Sequence, residues 1–201
     1  MRKLLTLGIF GALLSFGAKG QALSQGQSNI QLYYGIGPNI VKAFLEASIE
    51  GSSATNITVG SLGPIGLRYS YMVSDKAGVG LDANYTDTYM TYTDMDTTGA
   101  ASYSYTVGAR TMRFMPRFDF HFAGGDNFDA YFGIGAGYRT RIYYAESDDP
   151  SFVNDATEGV NPVAFRVAVG GQYFFSPNIG LNMEIGLGGG GLLRSGLAMK
   201  F

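Results

Sequence analysis

Seven ionisable side chains stand singly inside stretches that otherwise alternate between apolar residues and glycine or small polar ones. They are Arg68, Asp82, Arg110, Arg139, Arg166, Glu184 and Arg194. Taking such groups out of water is costly unless each meets a partner or stays hydrated. Two kinds of chemistry follow. The arginines and carboxylates can pair as a structural network, or the positive excess can favour anions along a narrow path. The network is the expected reading. Arg113 and Arg117 belong to the same question, because their side depends on the local strand register.

Other chemistry finds little support. His121 is the only histidine and shares strand parity with Arg117 and Asp119. Ser147 and Ser151 fall in a connection at the opposite end, and Ser195 faces the other way. No serine is therefore placed to meet His121 as a nucleophile meets its base, and no G-x-S-x-G occurs. The chain is expected not to be an enzyme. One histidine and no cysteine leave no ligand set for a transition metal. The run Glu146–Glu158, with "DDPSFVNDATEG", lacks the glycine-centred spacing of a calcium loop and reads as a solvated, disordered acidic surface. "GIG" and "GLGGGG" are strand glycines, since no G-x-x-x-x-G-K-[ST] is present. No cofactor is expected.

The elements that position these charges are strands. Alternation with a period of two marks residues 29–37, 61–72, about 77–89, roughly 101–122, 128–144, 163–175 and 179–187. A closing strand after glycines 188–191 ends at Phe201. Connections at 73–76, 123–127 and 176–178 are short, whereas those at 38–60, 90–100 and 145–161 are long; 188–191 is the short exception. A short helix is expected within 39–48, where Ile40, Val41, Phe44 and Leu45 have helical spacing. The stretch 101–122 changes parity: Tyr103, Tyr105 and Val107 make the odd positions apolar, whereas Phe118, Phe120 and Phe122 make the even ones so. A bulge between Ala109 and Pro116 would account for the change. The expected fold class is all-β, an eight-stranded antiparallel transmembrane up-and-down β-barrel over residues 28–201.

Alternation alone does not say which face is outside, because a soluble lipid-binding barrel alternates too. Here the second face carries glycines and the isolated charges named above, with Arg141 among them, not the dense Lys, Glu and Asp of a soluble surface. Tyr71, Phe122, Phe128, Phe175 and Phe201 gather at the short-turn end of the apolar face. Tyr85, Tyr103, Tyr105 and Tyr138 lie toward the loop end, so two aromatic bands are expected, as membrane interfaces favour. The apolar face is assigned to lipid.

"MRKLLTLGIFGALLSFGAKGQA" has two basic residues, an apolar run and a small-residue end, so residues 1–22 are expected to be a cleavable signal peptide. Without Arg2, Lys3 and Lys19, 11 of the 14 basic residues remain against 16 acidic ones. That balance argues against a nucleic-acid binder. Zero cysteines exclude disulfides.

Signal, eight alternating strands and terminal Phe201 together resemble the small eight-stranded outer-membrane barrel proteins of Gram-negative bacteria. The abundant Gly and Tyr and the ending "LAMKF" are similar to barrels of Bacteroidetes-type bacteria. The resemblance implies export, residence in the cell outer membrane as a multi-pass protein, and outer-membrane lipid as a partner. It also implies insertion by the outer-membrane assembly machinery, with Leu193, Leu197, Met199 and Phe201 as the assembly signal. The expected role is non-enzymatic, in envelope structure or in loop contact with an unknown extracellular ligand. A narrow transport channel (a porin-like role) and a soluble lipid-binding barrel are the alternatives.

Overall fold

The computed structural model describes residues 22–36, 55–95 and 102–201. The expected signal, apart from Ala22, and the expected helix within 39–48 lie outside the described residues. The described residues form nine strands: β1 (Ser28–Ile36), β2 (Thr55–Ser74), β3 (Ala77–Met95), β4 (Ser102–Gly124), β5 (Phe128–Ser147), β6 (Asp155–Glu158), β7 (Val163–Phe174), β8 (Ile179–Gly188) and β9 (Leu193–Lys200). Eight of them close an antiparallel barrel in the order β4-β3-β2-β1-β9-β8-β7-β5, with β5 returning to β4. β6 is a short flap on the free edge of the β5 extension, pairing Ile142 with Glu158 and Ala145 with Asp155.

Closure depends on the first and last staves. β1 pairs β9 from Asn29↔Lys200 to Ile36↔Leu193. Ser28 and Phe201 then exchange both backbone bonds, at 2.8 and 3.0 Å. The last residue is thus held in the sheet, and no open edge is left in the ring.

The wall is inside out relative to a water-soluble core. Leu187 is 69% exposed and Phe165 56%, whereas Arg68 is 1% and Glu184 2% exposed. This follows directly from the two-residue period: β8 reads Ile179, Leu181, Met183, Ile185 and Leu187 outward, with Gly180, Asn182, Glu184 and Gly186 inward. Along β5 the outward row runs from Phe128 to Tyr138. At about 3.3 Å per residue that is about 33 Å of strand. With a tilt of roughly 40° it gives an apolar band about 25 Å tall.

Three expectations are corrected. The bulge between Ala109 and Pro116 is absent: β3 and β4 pair without a slip from Ala77↔Phe120 to Met95↔Ser102. The only slip between β4 and β5 falls at His121/Ala123. Tyr105 therefore shares the face of Val107, which lines the lumen, and stacks on Tyr92 with centroids 5.6 Å apart. Tyr103, two residues earlier, has the same parity, so neither tyrosine belongs to an outer aromatic band. Their apolar character was a poor guide because aromatic rings also pack at the loop end of the lumen, Tyr105 against Tyr92 and Phe152.

The second correction concerns length. β2 to β5 run past their expected ends, and "TYTDM" is strand and not loop. Threonine and tyrosine favour strands even where the sequence is polar. Third, the acidic stretch after Glu146 is built, not featureless. Asp149 accepts bonds from the Ser151 backbone at 2.8 Å and hydroxyl at 2.7 Å, and Asp155–Glu158 is strand β6.

Candidate functional site

The lumen is layered from the short-turn end to the loop end. At the short-turn end Ala22, Leu23, Met72, Phe174 and Ala198 form an apolar cluster. The segment before β1 is folded into this end: Gly26 N donates to Met72 O at 2.9 Å, and Lys200 Nζ donates to Ala22 O at 2.5 Å. Above it lies a polar layer. Asn29 donates to Gln172 at 2.7 Å, and Asn182 to Gln31 at 3.0 Å. His121 Nδ1 is 2.8 Å from Asp129 Oδ2, while its Nε2 has no hydrogen-bond partner among the described residues. Among the described residues no hydroxyl stands within bonding reach of that nitrogen.

The middle storey is a compact charge cluster centred on Glu184 of β8. Glu184 Oε2 accepts from Arg68 Nη2 at 2.5 Å, Arg117 Nη2 at 2.6 Å and the Tyr131 hydroxyl at 3.1 Å. Oε1 accepts from Arg166 Nε at 2.6 Å. Beside it, Asp82 Oδ2 accepts from Arg194 Nη1 at 2.6 Å and Oδ1 from the Tyr33 hydroxyl at 2.6 Å. Arg117 Nε also reaches Asp119 at 2.6 Å. Short charge-assisted contacts of this kind are the stronger class of hydrogen bond. The two tyrosines fit because glycines face them: Tyr33 lies opposite Gly66 and Tyr131 opposite Gly170. A Cβ on Gly66 would clash with the Tyr33 ring.

Four arginines (68, 117, 166 and 194) face three carboxylates (82, 119 and 184). Backbone carbonyls meet part of the remaining positive charge. The connection after β8 turns its oxygens inward, so that Gly190 O accepts from Arg194 Nε at 2.8 Å and Gly191 O from Arg166 Nη1 at 2.8 Å. That path needs φ of +96° at Gly188, +95° at Gly190 and +89° at Gly191, which side chains disfavour. "GGGG" is therefore a lid of acceptors over the cluster.

Of the seven charges singled out by sequence, Arg68, Asp82, Arg166, Glu184 and Arg194 meet in this cluster. Arg110 does not, because without a bulge it keeps the outward parity of Met112 and Phe114. It lies on the outer face beside Asp87 at 3.5 Å and Glu146 at 3.6 Å, stacked on Tyr144 with its guanidinium 4.1 Å from the ring centre. Tyr144 donates to Asp87 at 3.1 Å. Burial and that bond push its phenol up to about 12. Arg139 points into the lumen above the cluster, where its guanidinium meets Asn161 O at 3.0 and 3.2 Å. Sequence reasoning left out Arg117, Asp119, Tyr33 and Tyr131 as members. Continuous parity from Arg117 to His121 would have identified the first two, and tyrosines on the glycine-bearing face the others.

In the described residues the top storey is a cavity of about 690 Å³, lined by Thr86, Thr88, Val107, Thr111, Arg113 and Arg141 among others. No group of three or more His, Cys, Asp or Glu among the described residues could hold a metal ion.

On β9, Leu197, Met199 and Phe201 face outward and Leu193 is half-buried. Ser195 interrupts this row.

No protein-family model matches the chain, and no curated protein matches it either. Among solved structures, the chain is similar to the N-terminal β-barrel domain of OprF from Pseudomonas aeruginosa, at 12% identity and a TM-score of 0.43. That match covers 89% of this chain and 100% of the other. Ail, the attachment invasion locus protein of Yersinia pestis, is similar at 11% identity over 88% of this chain and 99% of that one, with a TM-score of 0.41. The outer membrane protein OprG from Pseudomonas aeruginosa is similar at 13% identity over 92% and 99%, with a TM-score of 0.42.

Proposed function

We propose that the chain is a non-enzymatic integral outer-membrane barrel with a largely filled polar interior, serving envelope structure or the presentation of its loop-end connections to an extracellular partner. The observation that carries this reading is the inverted wall: a closed apolar girdle about 25 Å tall around a charged, hydrogen-bonded lumen. In water such a girdle would be a very large unbroken apolar patch. In hydrocarbon it is the expected surface, and ring closure satisfies the backbone. The reading carries with it export behind the signal over 1–22, contact with outer-membrane lipid, and insertion by the assembly machinery through Leu193, Leu197, Met199 and Phe201.

The soluble lipid-binding alternative needs an apolar lumen, and the middle storey is ionic. The transport alternative needs an aqueous path, and the side chains around Glu184 fill the cross-section. Expression in a Gram-negative host with membrane fractionation tests the location. The protein should be recovered with outer membranes and run faster unheated than boiled; recovery in the soluble periplasm would refute the reading. In planar bilayers the purified barrel should give no reproducible conductance steps.

A further inference from the structure

We propose that the loop-end cavity is a binding site for a small organic anion, one with a carboxylate, sulfonate or phosphate on an apolar body. The lumen arginines fall into two groups. Those around Glu184 are paired. Arg113, Arg139 and Arg141, one storey higher, have no carboxylate of the described residues within 4.0 Å. Arg113 gives only Nη1 to neutral acceptors, Asn84 Oδ1 at 3.1 Å and Thr86 Oγ1 at 3.3 Å. Arg141 gives Nε to Thr111 and Nη1 to Tyr143, both at 3.3 Å. The Nη2 groups of both arginines have no partner among the described residues.

Their placement is unfavourable for a purely structural role. Arg113 and Arg139 are direct cross-strand partners on one face, and Arg141 follows opposite Thr111. Like charges directly opposite one another destabilise a sheet. A bound anion would turn that repulsion into attraction, and the planar guanidinium matches carboxylate or phosphate with two parallel bonds. The rest of the wall sets the body of the ligand. Thr86, Thr88 and Thr111 supply hydroxyls, while Val107, Met90 and Leu192 supply apolar surface, around about 690 Å³. That volume lies in the usual range for a small-molecule site. The charged cluster forms the floor, so the site is a dead end and not a passage.

The test uses the full mature chain refolded in zwitterionic detergent at low salt, with folding verified by gel mobility. The probes are phenyl phosphate, inorganic phosphate and benzyl alcohol, titrated calorimetrically. Phenyl phosphate should bind saturably, inorganic phosphate more weakly, and benzyl alcohol not at all. The double variant Arg113→Gln/Arg141→Gln should bind phenyl phosphate at least about tenfold more weakly. Without anion it should resist urea as well as, or better than, the native chain, because like-charge repulsion has been removed. A structural role would instead make the variant less stable. Equal binding of benzyl alcohol, no saturable binding of phenyl phosphate, or unchanged binding in the double variant would overturn the proposal. Binding is read on folded barrel in detergent, so failure in this assay and failure of the membrane assignment remain distinct.

Discussion

Glu184→Gln is the perturbation that probes the lumen most directly. The side chain keeps its volume, but one accepting oxygen becomes an NH2 group facing guanidinium donors. Glu184 currently accepts from Arg68, Arg117 and Arg166 at 2.5 to 2.6 Å, and Arg194 Nη1 stands 3.8 Å away. Removing its charge leaves four buried arginines, all 1–2% exposed in their side chains, facing Asp82 and Asp119 alone. Breaking a buried pair by removing one partner costs about 3–5 kcal/mol. The upper part of that range applies here, because one carboxylate serves several cations. With a urea slope of ~1–3 kcal/mol per molar, the unfolding midpoint should fall by at least about 1 M.

The assay is urea unfolding of refolded barrel, followed by loss of the fast-migrating band and by tyrosine fluorescence. A second variant separates charge imbalance from simple loss of packing. In Glu184→Gln/Arg166→Gln one of the stranded cations is removed as well. The double variant should be more stable than additivity predicts, with a coupling of about 1 kcal/mol or more. A midpoint for Glu184→Gln within about 0.3 M of the native value would refute the claim that this carboxylate holds the lumen together. Strict additivity in the double variant would refute the pairing with Arg166.

The outer and inner arginines should behave differently. Arg194→Ala should lower the urea midpoint strongly, whereas Arg110→Ala should change it little, since exposed ion pairs contribute about 0–1 kcal/mol; equal losses would contradict the parity assignment on β4. The Tyr144 phenol, raised from 10.0 to about 12, favours the folded state fully below pH 10 and loses that contribution as pH rises toward 12. The difference titration at 295 nm between the native chain and Tyr144→Phe should therefore have its midpoint near 12, and a midpoint near 10 would remove the Asp87 contact from consideration. Deleting Phe201 should reduce outer-membrane assembly more than export, because Phe201 both closes the ring with Ser28 and ends the outward row of β9; unchanged assembly yield would discard the terminal-signal role.

How far the sequence could be read depended on which interactions were local. On β8 every second residue changes character, so Glu184 and its inward direction were legible from the strand itself. β4 was not legible in this way. Its apolar residues sit on odd positions near Tyr105 and on even ones near Phe118, which imitates a bulge. The register shows one unbroken strand crossing two environments, first the loop end and then the girdle. Arg110 and Tyr105 exchange their expected faces for that reason. Partner identity was equally out of reach. Glu184 is adjacent to Arg194 across β8–β9, which strand order suggests, but it also meets Arg68 from 116 residues away and Arg117 from 67. Those contacts cross the lumen and depend on closure, a property of the ring and not of any strand.

Closure of the lumen is achieved by two barriers in series, and this bears on what a barrel of this kind can pass. An ion entering from the loop end would first meet Arg113, Arg139 and Arg141, whose positive charge favours anions, and then the Glu184 cluster, whose opening must separate buried ion pairs. If opening cost about 5 kcal/mol, the open state would be populated roughly once in 4,000 molecules. Below that stands the apolar cluster, into which Leu23 of the mature chain is folded at 1% exposure. Passage would require withdrawing that segment as well, breaking the Gly26–Met72 and Met72–Gln27 backbone bonds. The two events share no residue and do not assist each other, so their costs multiply in population. Weakening the ionic barrier alone, as in Glu184→Gln, should thus lower stability without producing measurable conductance. Steady ion current through that variant would mean that the lower seal is not a barrier, and that the lumen is one gate from being a pore.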